Sequence, residues 1–138
     1  MEFETLYVHL RIKDEILVGT YKKGLSINLA VAEEIVRNRI AFTGGKKMPA
    51  LIFSEGVLHM DKPAREFLAS AAGTEGLSAA AIILNSVFSS MMGRLFLKIN
   101  KTPLPVKTFN SVPKAEKWLQ QFIIESSKKE EWINDSRK

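Results

Sequence analysis

This chain of 138 residues contains no cysteine. Disulfides, thiol catalysis and cysteine-ligated zinc are therefore excluded. Histidine is scarce: His9 and His59 stand far apart, in no His-x-x-x-His or Glu-x-x-His pattern, so no metal site is expected. No Gly-x-Ser-x-Gly elbow is present, which leaves a serine triad unsupported. Gly44-Gly45-Lys46-Lys47 lacks the spacing of a phosphate-binding loop and follows a helix instead of opening one. Nucleotide hydrolysis is rejected on that ground, and no cofactor is expected. Long hydrophobic runs are missing too. The longest apolar stretch, Leu77 to Leu84, has the length of a buried strand and not the roughly 18 residues of a bilayer span. Met1-Glu2-Phe3-Glu4 lacks the basic-then-apolar pattern of a signal peptide, which makes a cytoplasmic location the expectation. Charge of one sign is not concentrated. The net charge is +5, and its lysines are scattered in pairs without interleaved aromatics, so nucleic-acid binding is not expected.

What is present suits one soluble α/β domain: 46% of residues are hydrophobic and 25% charged. Leu6, Val8, Leu10 and Ile12 alternate with polar neighbours and predict a half-buried strand. A short turn at Lys13-Asp14-Glu15 joins it to Ile16–Tyr21 as a hairpin. Val31, Ala32, Ile35, Val36 and Ile40 form an apolar stripe at helical spacing. Ser26 or Asn28 caps that helix and Gly44-Gly45 ends it. Met48 to Phe53 does not alternate, which predicts a strand covered on both faces. A second helix opens at Asp61 with Pro63 in its first turn and buries Ala64, Phe67, Leu68 and Ala71. Ser78 to Leu84 reads as a strand whose alanines allow helices to pack tightly. A third helix runs from Asn85 or Ser86 to about Asn100, and a short strand follows at Val106–Phe109. A last helix starts after Ser111 with Ala115, Trp118, Leu119, Phe122 and Ile123 inside.

The predicted order is ββαβαβαβα: a mixed, mainly parallel five-stranded sheet with an N-terminal hairpin and four helices. A single domain is expected over residues 1–125. Residues 126–138 form a polar tail that is expected to fray.

Three stretches carry a resemblance: Asp61-Lys62-Pro63-Ala64-Arg65, the run from Phe96 to Val106, and Ala115-Glu116-Lys117-Trp118-Leu119. With the element order, they make the chain similar to the STAS fold of the bacterial anti-sigma-factor antagonists. The similarity is greater to small uncharacterised bacterial proteins described as STAS-like or STAS/CRAL-TRIO-like, and it covers roughly Leu6 to Phe122. In the phosphorylatable antagonists, a serine follows the aspartate at the start of the second helix, and its phosphorylation switches partner binding. Here that position is Lys62, which accepts no phosphate, so no phosphorylation site is expected.

Two sets of residues are the candidate sites. His59, Asp61 and Lys62 stand at a helix start, where unpaired N–H groups and the macrodipole favour an anion. Their structural alternatives are equally concrete: Asp61 as the helix cap, and Lys62 paired with Glu66 one turn on. The third predicted helix has little polar face. Phe88, Met92, Leu95 and Ile99 suffice to cover a sheet, which leaves Met91 and Phe96 over. Phe88, Met91, Met92 and Phe96 are thus candidates for an interface, although a neighbouring loop or the tail can cover them as well.

The leading expectation is a non-enzymatic STAS-like binding or regulatory module that acts through protein contacts and self-associates as a dimer. The alternative is a small apolar ligand or lipid, suggested by the CRAL-TRIO likeness, with Phe42, Met60, Phe67, Phe88 and Met92 as lining.

Overall fold

The computed structural model describes residues 2–84 and 102–123. Among these, a six-stranded sheet has the order β1-β2-β3-β5-β7-β8. The strands are β1 (Glu2–Glu4), β2 (Val8–Lys13), β3 (Ile16–Tyr21), β5 (Met48–Phe53), β7 (Leu77–Ile83) and β8 (Val106–Phe109). Strand β2 runs antiparallel to both β1 and β3, and the pairs from β3 onward are parallel. A second, two-stranded parallel sheet joins β4 (Leu25–Ile27) to β6 (Val57–Met60). Helices α1 (Leu29–Thr43) and α2 (Lys62–Ala69) are complete, and α3 occupies 112–123.

The α/β character and the hairpin feeding a parallel sheet are as expected, but three short strands are additional. Strand β1 reads Glu-Phe-Glu and is exposed throughout, so it carries no burial pattern. Strands β4 and β6 are three and four residues long. They hydrogen-bond to each other and not to the main sheet, a pairing that local periodicity does not report. Leu25 and Ile27 pack into the core beneath that sheet. The predicted helix over 85–100, with Phe88, Met91, Met92 and Phe96, lies outside the described residues, as does the tail beyond residue 123.

Local chemistry explains the element ends. Asn28 caps α1 by accepting the Val31 N–H at 2.9 Å, and Gly44 closes it in the left-handed region at φ 65°. Lys13 pairs directly with Ile16, so the β2–β3 turn has two central residues, Asp14 and Glu15, both at positive φ. That is the geometry that matches strand twist in a hairpin. Leu6 is 79% exposed and precedes the strand it was expected to join. The Thr5 hydroxyl receives the N–H groups of Tyr7 and Val8 and donates to the Val8 carbonyl, which builds a turn there instead. Helix α2 stops at Ala69, so Ala71 falls in the following turn and is exposed, while Ala69 is buried.

The sheet has two unlike faces. On one, Ile16, Val18, Leu51, Ala79, Ala81 and Ile83 pack against Ala115 and Leu119 of α3. Alanine on the strand lets this helix approach closely, and Trp118 closes the edge between Phe109 and Phe122 at ring separations of 5.7 and 5.0 Å. On the other face, Val8, Leu10, Leu17, Met48 and Ala50 meet Ala32 and Ile35 of α1 and Ala64 of α2. Among the described residues, that second face is incompletely filled.

Candidate functional site

Period-two alternation places Leu17, Gly19 and Tyr21 of β3 on the α1–α2 face, beside Leu10 of β2, Ile52 of β5 and Ala80 of β7. Gly19 has no side chain, and Ala80 has a single methyl. These two small residues, on the strands either side of β5, leave space beneath the helices. The space is a cavity of about 200 Å³. Helix α1 contributes Ile35, Val36 and Arg39 to its wall, and α2 contributes Arg65 and Leu68. Met60 of β6 and Val106 of β8 add further apolar surface. The polar lining is sparse: the two arginines, Tyr21, Ser54, Thr74 and Thr102.

Arg39 is the most constrained of these groups. It is 7% exposed. Its Nη1 donates to the Glu75 carbonyl at 2.6 Å and its Nη2 to the Gly73 carbonyl at 3.0 Å. These bonds tie the second half of α1 to the turn that enters β7. Gly76 in that turn stands at φ 82°, and a Cβ there would lie 3.5 Å from Arg39 Nη1. Burial pulls the Arg39 guanidinium below its ordinary pKa, opposed by Tyr21 and Glu75. Burial pushes the Tyr21 phenol up, opposed by Arg39. Ser54 donates to the Ile83 carbonyl at 3.2 Å, and Thr74 to the Ser70 carbonyl at 2.8 Å.

The residues singled out from the sequence lie elsewhere. Asp61 caps α2, accepting the Ala64 N–H at 3.0 Å. Lys62 sits 3.8 Å from Glu66 in an exposed i,i+4 pair, an arrangement of small energetic weight. His59 is exposed on β6 opposite Ser26. None of the three lines the cavity. Of the lining proposed from sequence, Met60 is in the wall. Phe42 and Phe67 pack into the core around it, with Phe42 stacked on Phe3 at 6.0 Å. Phe88 and Met92 lie outside the described residues. Among the described residues no three metal-capable side chains come together, and no helix is long and apolar enough to cross a membrane.

Arg39 escaped the sequence reading although a signal was there. It follows Ile35 and Val36 at four- and three-residue spacing, so it falls on the buried stripe of α1. A lone arginine on such a stripe must find acceptors inside.

A sheet of this order, covered on both faces by helices, defines a SpoIIAA-like fold, the STAS-like architecture that the sequence resembles. One solved structure of this kind is an uncharacterised protein of the DUF3478 family with a SpoIIAA-like fold from Shewanella loihica PV-4. It is 18% identical, superposes with a TM-score of 0.54, and the alignment covers 85% of this chain and 98% of that one. Over residues 10–123 the chain belongs to the family described as a domain of unknown function, DUF7793. A search of the curated proteins finds no match.

Proposed function

We propose that this chain is a non-enzymatic binding module that holds a small, mainly apolar ligand between its sheet and helices α1 and α2. The carrying observation is the cavity of about 200 Å³ walled by aliphatic side chains with a few polar groups. Sites that bind small molecules have that composition. The volume equals about seven waters, which suits a compact ligand or a short chain better than a whole lipid. Its place inside one domain, against the centre of the sheet, means the fold itself shapes it.

Native mass spectrometry of the untagged chain, gently purified from its own host, tests the reading. A defined added mass, released by organic extraction in stoichiometric amount, is the expected result. Bare protein alone, with nothing extracted in repeated preparations, overturns it.

A second reading, protein contact, draws on Leu58. It is 63% exposed on β6, beside His59 and just before the α2 start. A partner docking there would bury Leu58, and Leu58→Ser is then expected to weaken self-association in sedimentation analysis. An unchanged association state removes this surface from consideration.

A further inference from the structure

Among the described residues the cavity wall carries positive charge and no acid, and the Glu75 carboxylate beyond the wall offsets the burial of Arg39 only in part. Arg39 is 7% exposed, yet its two acceptors are the backbone carbonyls of Glu75 and Gly73, which carry no net charge. A guanidinium has five N–H donors, so three remain unused by the described residues. Arg65, on the first turn of α2, also lines the cavity, and its guanidinium has no hydrogen-bond or ion-pair partner among the described residues. No aspartate or glutamate stands among the described lining residues. Lys62 and Glu66, the charged neighbours on α2, pair with each other on the outside.

Burying a cation is costly, and at Arg39 burial outweighs the opposing effect of Glu75. If Arg39 served only as a strut between α1 and the 70–76 turn, a neutral donor would bond the same two carbonyls without that cost. The burial that depresses its pKa marks the same tension. Beyond Arg39, Arg65, Tyr21, Ser54, Thr74 and Thr102, the wall is apolar: Leu10, Leu17, Ile35 and Ile82 offer contacts to a chain.

Building on the cavity reading, we infer that the ligand is an amphipathic acid. Its carboxylate or phosphate pairs with Arg39, and its apolar chain lies along the sheet over Gly19 and Ala80. Arginine pairs with both anions through two parallel N–H bonds, and such charge-assisted bonds are stronger in a dry site. Gly19 fits this arrangement, since a missing side chain allows close approach of a chain to the strand. The cavity volume accommodates a molecule of roughly ten non-hydrogen atoms, which sets the length of the probes.

Isothermal titration of the full chain at neutral pH with octanoate, octyl phosphate and octan-1-ol tests this. At least one acid is expected to bind tenfold or more tighter than the alcohol, and the tighter acid identifies the headgroup. In Arg39→Gln the acid is expected to fall to the affinity of the alcohol while octan-1-ol binding stays within about twofold. Arg65→Gln is expected to retain the preference for acid. Equal affinities for all three probes in the wild type overturn the acid inference and leave the apolar cavity standing. No binding of any probe overturns both. Loss of acid preference in Arg65→Gln with retention in Arg39→Gln overturns the assignment to Arg39. Should Arg39→Gln fail to fold, the wild-type comparison of acid with alcohol decides whether an acid is bound, and Arg65→Gln decides whether Arg39 remains its anchor.

Discussion

Asp61, Ser78 and Tyr21 each hold a polar group whose surroundings set a measurable energy. The Asp61 carboxylate accepts the Ala64 N–H at 3.0 Å at the start of α2. Asp61→Ala is expected to lower the urea midpoint by the equivalent of about 1 kcal/mol, and Asp61→Asn by much less. A loss no larger in alanine than in asparagine would mean that the cap contributes little. The Ser78 hydroxyl is buried with no hydrogen-bond partner among the described residues. Ser78→Ala removes that penalty and is expected to stabilise the chain by about 1 kcal/mol in the same assay. Tyr21 adds a pH dependence. Burial raises its pKa above the ordinary 10.0 despite the nearby Arg39 cation, so the folded chain keeps the phenol proton after the unfolded chain has lost it. Between those two values the folded state binds more protons, and stability falls as pH rises. The contribution is fully present below pH 10.0. Urea unfolding from pH 8 upward is expected to show the wild type losing stability relative to Tyr21→Phe only on the alkaline side.

At the scale of elements, the turn between α2 and β7 organises the cavity end. Ser70 accepts the Gly73 N–H at 3.1 Å, Thr74 bonds back to Ser70, and Met48 receives support from the Gly76 carbonyl at 3.1 Å. Gly73 is required by space. A Cβ there would collide with the Phe67 carbonyl oxygen and the Leu68 backbone, which are helix backbone and cannot turn aside. Gly73→Ala is therefore expected to destabilise the chain by about 3 kcal/mol or more and to weaken ligand binding, because the Gly73 carbonyl also holds Arg39. A cooperative thermal melt close to that of the wild type would contradict this. The same turn explains why α2 is only eight residues long: the chain must reverse here to present β7 to β5.

For the whole molecule, the asymmetry between the sheet faces is the feature with functional content. Ala79 and Ala81 are filled over by α3, whereas Ala80, between them in sequence, points to the other face and leaves room. Enlarging that residue tests the cavity without touching a polar group. Ala80→Leu adds three carbons to a cavity of about 200 Å³, roughly a third of its room, and is expected to reduce octan-1-ol affinity at least tenfold. Its effect on stability should be modest, within about 2 kcal/mol, because the added methylenes enter space and not packed atoms. Undiminished binding by a folded Ala80→Leu chain would place the ligand elsewhere.

The α/β class and the longer described elements were legible because local rules agreed with the final fold. Alternation around Val8 and Leu10, the stripe Ala32-Ile35-Val36, the Asn28 cap and the Gly44 stop each acts over a few residues. Leu6 misled because a Thr5-centred turn overrode its alternation. Strands β1, β4 and β6 were too short to carry a period, and their partners are remote in sequence. Arg39 was readable as a charge on an apolar stripe, but its meaning was not. Its acceptors come from residues 34 and 36 positions away, and the sequence has no mark for which turn will arrive there. The amino-acid sequence alone thus determined the absence of thiol chemistry, the α/β class, the hairpin and the caps, since these depend on composition and near neighbours. Among the described residues, the tertiary structure decided which sheet face is closely packed and which leaves a cavity. It also placed Gly19 and Ala80 on one face, either side of β5, in a cavity that two arginines line, because a cavity is a relation among elements that no single element contains.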